Sequence, residues 1–337
     1  MKRWTFTYIM LLMIASCSYD AVVEMPDLGK EITFQAGVET KGTETRDYNL
    51  DYIDVKSYLI SDSKAELFFD DKTFERIGDW FCSDPAYYWP SDKPLLFLLW
   101  HPSAEKMGMT VMPGQDLLDE SSVIFKNVSP KTEIAEQQDL LFAIALGSSE
   151  TGVRGLAQNG DIVMQHLLSQ IEIRASKGYQ SSLSLFAAGV RIVNLYGKAD
   201  FSINGDSFQL YPDSKTCYED LYEDNPIEIM SSATNVMSPE SGTAFVLPQD
   251  LEEWDPASDP DNNKKGAYIS ILLQVRDNTG KIIVPEGGTE TDYEWRAVPM
   301  YNSKNVDKVF NTLIASEIYN YTLEFSEGMG YPDPLGM

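Results

Sequence analysis

The apolar positions of this chain recur in twos. Ile32, Phe34, Ala36 and Val38 share one face of EITFQAGV, with mostly polar residues between them, the spacing of a half-buried β-strand. The same alternation places Ile171, Ile173 and Ala175 together in QIEIRA, Ile269, Ile271, Leu273 and Val275 in YISILLQVR, and Tyr319, Tyr321, Leu323 and Phe325 in IYNYTLEF. Further strands are expected at Asp54–Ile60 and Val190–Leu195. Two runs, Leu95–Trp100 (LLFLLW) and Leu140–Leu146, are apolar without interruption, as in strands buried on both faces. The turn Asp277-Asn-Thr-Gly280, between YISILLQVR and KIIV, predicts a hairpin. Helical spacing is scarce, with a turn or two expected at Asp71–Trp80 and Asn305–Ser316. Short strands separated by Gly, Pro, Asn and Asp predict an all-β chain of antiparallel sandwiches. The polar run SKGYQSS, residues 176–182, interrupts the strands, so two domains are expected, 31–178 and 179–325.

The ends read differently. Residues 1–17 form a lipoprotein signal peptide: Met1-Lys2-Arg3 is the basic start and Trp4–Ala15 a short apolar stretch. Ile14-Ala15-Ser16-Cys17 then resembles a bacterial lipobox, which makes Cys17 the expected site of lipidation. Acyl chains there would anchor the protein to a membrane. Residues 18–30 read as a tether and 326–337 (SEGMGYPDPLGM) as a flexible tail. Directly after the first strand, Lys41-Gly-Thr-Glu-Thr-Arg46 is polar and flexible, which sets a core-like strand between two loose segments.

Charge and chemistry narrow the function classes. Over 337 residues, 43% are apolar and 52 acidic residues outnumber 26 basic ones, a net charge of −26. The scattered Lys and Arg argue against nucleic acid, whose phosphates require basic clusters. Gly-rich phosphate loops and nucleophile elbows are missing from the sequence. His101 and His166 both sit at apolar strands and read as packed, hydrogen-bonded residues. The sequence therefore predicts no enzyme, no catalytic residue and no cofactor. Asp259, Asp261 and Asn263 have the spacing that opens a calcium loop, but Lys264 stands where its glycine belongs and Ser270 where its bidentate glutamate belongs, so no metal is expected. Cys82 and Cys217, far apart in sequence, do not form a disulfide framework. Tyr87, Tyr88 and Trp89 read either as core packing or as a ligand-contact surface for sugars.

Taken in order, these features resemble the fimbrillin family, the lipoprotein subunits of Bacteroidia surface pili. The resemblance rests on the lipobox at Cys17, the strand from Ile32, Thr45-Arg46, Gln138-Asp-Leu-Leu-Phe-Ala143, His166-Leu-Leu-Ser-Gln-Ile-Glu-Ile173, Phe245-Val-Leu-Pro-Gln249 and Tyr319-Asn-Tyr-Thr-Leu-Glu-Phe325. It implies two transthyretin-like β-sandwich domains in tandem and export to the outer membrane through the lipid anchor. It also implies cleavage by an Arg-specific protease between Arg46 and Asp47, and assembly with other pilus subunits by strand exchange. In that scheme Ile32, Phe34, Ala36 and Val38 belong to the departing strand. The glycines and prolines after Phe325 suit a donor strand poorly, which points to a tip or accessory subunit. The alternative is a surface adhesin that keeps its first strand and binds host or bacterial glycans or proteins.

Overall fold

The computed structural model describes residues 30–39, 50–61, 64–90, 93–112, 123–157, 159–179, 181–203, 207–257, 265–301, 311–325 and 330–335. Among these the chain is all-β, with a 3-10 turn at Ile134–Glu136 and no α-helix. Strands are numbered along the chain.

The largest sheet carries the N-terminal half. Its order is β1 (Ala36–Val38), β10 (Ile162–His166), β8 (Leu141–Ser148), β5 (Leu95–His101), β2 (Tyr52–Ser61), β3 (Lys64–Ile77) and β4 (Trp80–Cys82), with β9 (Gly152–Gly155) beside β8. The run LLFLLW lies in β5 at its centre, and its two faces feed different cores. Leu95, Phe97 and Leu99 pack with Ile32, Phe34, Phe74 and Met164. Leu96, Leu98 and Trp100 pack with Phe125, Phe142, Phe201 and Phe245. That double burial explains the lack of alternation.

The second core is closed by a sheet ordered β14 (Ser207–Leu210), β13 (Ala199–Ser202), β7 (Val123–Val128) and β6 (Thr110–Val111). Here Phe201, from the later half of the chain, pairs with Phe125 of the earlier half, their rings stacked at 6.0 Å.

The C-terminal sandwich faces two sheets across Ile171, Ile173, Leu185, Ile192, Ile269 and Leu273. One is ordered β17 (Thr234–Asn235), β11 (Ser169–Ser176), β18 (Ala244–Val246), with β24 (Ile318–Glu324) also on β11. The other is ordered β15 (Lys215–Leu221), β12 (Ser184–Tyr196), β20 (Tyr268–Arg276), β22 (Glu294–Pro299), β25 (Tyr331–Pro332). Strands β16 (Ile227–Ile229) and β21 (Ile282–Val284) extend it, and β19 (Gln249–Asp250) pairs with β23 (Thr312–Leu313). The β20–β21 hairpin turns at Gly280, φ +86°. Asp277 Oδ1 fastens that turn by accepting from the Thr279 and Lys281 amides at 2.8 and 3.0 Å.

Several features depart from the sequence pattern. The helical turn expected at Asp71–Trp80 is instead the end of β3, the turn at Gly78 and the start of β4. In the second stretch, Asn305–Phe310 lie outside the described residues, while Thr312–Leu313 are extended. Antiparallel pairing also has exceptions: β1 runs parallel to β10, and β24 parallel to β11. Strand β11, expected as the last strand of the first domain, pairs wholly with strands of the later half. Of the tail expected to be flexible, residues 330–335 are placed against β22.

Candidate functional site: the first strand and its groove

The segment from Lys30 to Glu39 closes the N-terminal sheet upon itself. On one side the Ile32 amide donates to the Tyr87 carbonyl at 2.7 Å. Phe34 and Phe81 of β4 exchange both backbone hydrogen bonds, at 3.1 and 2.8 Å. On the other side Ala36, Gly37 and Val38 pair with Ile162, Val163 and Met164, and the Glu39 amide donates to the Met164 carbonyl at 2.9 Å. The segment thus satisfies backbone groups at both free edges, β4 and β10.

Its side chains fill the space between them. Ile32 and Phe34 are wholly buried, while Ala36 and Val38 are half-buried against the same core. The Phe34 ring stands edge-on to Phe74 and Phe97, centroids 4.9 and 5.1 Å away. Each large side chain so buried stabilises the strand's attachment by about 1.5–3 kcal/mol. Without the strand, two edges would present unpaired amides and carbonyls beside an apolar slot.

The aromatic run divides. Trp89 is buried edge-on to Phe97, and Tyr87 packs at a tilt against Phe69, centroids 4.6 Å apart. Tyr88 alone is half exposed, its backbone bridged to Glu31. The sequence offers this trio as one surface, but the structure turns only Tyr88 outward.

At the far end of the segment, His166 lies between two partners. Its Nε2–H donates to the Glu39 carbonyl at 2.8 Å, and its Nδ1 meets the Asp139 carboxylate. Burial opposes charge on this ring, but the hydrogen bond and charge of Asp139, helped by the Glu39 carbonyl, outweigh it and hold the imidazole above its usual value. In the sequence His166 reads as a packed, hydrogen-bonded residue with no sign of its pairing to Asp139. Their signal lies in the QDLLFA and HLLSQIEI motifs, which β8 and β10 bring side by side.

Other predicted residues fall elsewhere. Cys17, Arg46 and Asp47 lie outside the described residues, as do Asp259, Asp261 and Asn263. Ser270 is buried in β20. No group of His, Cys, Asp or Glu fit to hold a metal occurs among the described residues. His101 contacts the Tyr52 carbonyl through Nδ1 at 3.1 Å, and burial lowers its pKa.

Cys82 and Cys217 are free thiols. Burial pushes Cys217 up to about 11, and burial with the nearby Glu31 charge raises Cys82. Because only the thiolate reacts quickly, alkylation of the native protein without reductant should label Cys82 well before Cys217, and both after unfolding. Labelling that waits on a reductant would instead reveal a bond.

The fimbrillin-like family model matches residues 33–331, from inside the first strand to the docked tail. The chain belongs to the fimbrillin-like family. Among solved structures it is similar to a fimbrial protein from Bacteroides vulgatus at 15% identity and TM-score 0.53, over 87% of this chain and 95% of that one. A candidate cell adhesion protein from Bacteroides ovatus is 17% identical over 89% and 94%, TM-score 0.48. The fimbrial anchor protein Mfa2 from Porphyromonas gingivalis is 10% identical over 87% and 90%, TM-score 0.31. No curated protein sequence matches. The first of these likenesses is one of fold, over 87% of this fimbrillin-like protein. No helix among its described residues is long and apolar enough to cross a membrane.

Proposed function

We propose that this fimbrillin-like protein is a tip or accessory subunit of a surface pilus, assembled by strand exchange after its first strand is removed. The observation that carries the reading is the double role of residues 31–39: they fill an apolar slot with Ile32 and Phe34 and also satisfy two sheet edges. A strand from another subunit could replace both contributions by β-augmentation. Cleavage would make the exchange one-way, because it severs the covalent link that keeps the resident strand at high local concentration. Family membership supports a structural role in a pilus or in adhesion at the cell surface rather than catalysis.

The finer parts of the proposal follow from the sequence. Cys17 carries the lipid anchor to the outer membrane, and an Arg-specific protease cuts Arg46–Asp47. The tip or accessory position is supported by the tail, whose residues 330–335 already occupy the edge of β22. The two sandwiches are proposed as transthyretin-like and in tandem, with β10 and β11 joining different sheets on either side of Leu167–Leu168. The adhesin alternative draws on Tyr88, the one outward member of its trio.

The test is digestion of the purified precursor with an Arg-specific protease. A new N-terminus at Asp47, followed by binding of an alternating apolar donor peptide that the uncut protein ignores, is the expected result. A chain that resists cutting across 41–46 overturns the proposal.

A further inference from the structure

Glu39 is held to β10 through both of its backbone groups. Its amide bonds to the Met164 carbonyl, and its carbonyl accepts from His166 Nε2 at 2.8 Å. A carbonyl can only accept, so Nε2 must carry a proton. The other nitrogen, Nδ1, faces the Asp139 carboxylate, and a ring that gives both acceptors a proton of its own is the imidazolium. The charged groups that bear on this ring are Asp139 and Glu39, both acidic. From β8, Leu141 lies opposite His166 in the ladder. From the turn before β24, Ser316 Oγ donates to the His166 carbonyl and fixes the backbone on which the ring is mounted.

We propose that His166, held by Asp139, is a latch on the first strand: by gripping the Glu39 carbonyl it sets how readily that strand leaves the sandwich. The inference rests on the reading of this strand as one that departs. Its position suits the role. With Cys17 tethered to a membrane, a cut at Arg46–Asp47 frees only the C-terminal end of the strand, so peeling begins there, and Glu39 holds the C-terminal side of the strand to β10. The direction with pH follows from the ring's charge. The folded-state pKa lies above the ordinary value near 6.5. The stabilisation is therefore complete below that ordinary value and is lost as pH rises through the folded one. The neutral ring has a single proton for two acceptors, and the strand's end loosens.

Hydrogen exchange of the intact, uncleaved protein tests this. After correction for intrinsic exchange, protection of the Glu39 amide should fall by about tenfold as pH rises through the His166 transition, a charge-assisted hydrogen bond being at stake. Amides of Ile271 and Leu273 in β20 serve as an internal control. His166→Leu should abolish the pH response. Asp139→Asn should move its midpoint to lower pH, which a residue acting only through packing would not do. Wild-type protection flat with pH, or an unmoved midpoint in Asp139→Asn, overturns the latch. Should His166→Leu also lose protection in β20, the wild-type and Asp139→Asn series decide the matter. A chain that resists cutting at 41–46 but shows this response would defeat strand departure and keep His166 as a clamp. Cutting without the response would defeat the latch alone.

Discussion

Phe34→Ala should destabilise the protein by about 3–5 kcal/mol, the range for deleting a buried phenylalanine ring. The site offers little room to collapse. Phe34 is wholly buried and held edge-on by Phe74 and Phe97, and its backbone is paired to β4 in both directions. Relaxation of the backbone around the cavity would break that pairing, so the cavity persists. Val38→Ala, at a half-buried position of the same strand, should cost distinctly less. Urea unfolding of both variants checks the order. A Phe34→Ala loss within about 1 kcal/mol of the wild type would mean that the slot closes without its occupant, and the strand would then be ornamental. The same substitution should speed replacement of the strand after cleavage, because the resident competitor is weakened while a donor supplies its own side chains.

The first strand was legible because its burial pattern is local: four alternating positions state which face goes inward, and the core agrees for Ile32 and Phe34. Leu95–His101 was equally legible, since a strand between two cores must be apolar throughout. The misreading at Asp71–Trp80 has a physical cause. Opposite Ser57 the register of β3 slips, and Asp70 and Asp71 both reach the buried Lys56 amine, at 2.8 and 3.2 Å. That bulge, with Asp71 at φ +40°, puts Phe69 and Phe74 on the same inward side although they are five positions apart. An odd spacing hides the period of two, and Phe74, Ile77 and Trp80 then imitate a helix. The His166–Asp139 contact was illegible for another reason. Each residue alone is an ordinary polar group beside an apolar run, and only the β8–β10 pairing gives them a common purpose. The parallel partners of β1 and β24 were equally beyond a local pattern, which carries burial but not strand direction.

The docking of the tail is not legible in the sequence because its anchor is a single carboxylate rather than an alternating face. Asp333 is buried, accepts from the Tyr268 hydroxyl at 3.0 Å and lies 3.7 Å from the Arg191 guanidinium, itself spread over Trp295 at 3.9 Å. Beneath the tail, Trp254 stacks on Tyr268 at 4.5 Å and meets Tyr331 edge-on at 5.8 Å. Trp254→Ala should therefore cost about 3–5 kcal/mol by cavity formation, and it should also release residues 330–335, seen as faster exchange at Tyr331 and Asp333. Deleting the tail should cost less, about 1–3 kcal/mol: Tyr331 is already partly exposed, and Arg191 keeps Glu219 at 2.5 Å. The double variant separates two descriptions of the tail. If the tail is a cover resting on a platform, much of the cost of Trp254→Ala already includes undocking, and the two losses will sum to more than the double variant loses. If they add within about 0.5 kcal/mol, tail and platform are independent, and the tail could be lifted from β22 without disturbing the sandwich below it.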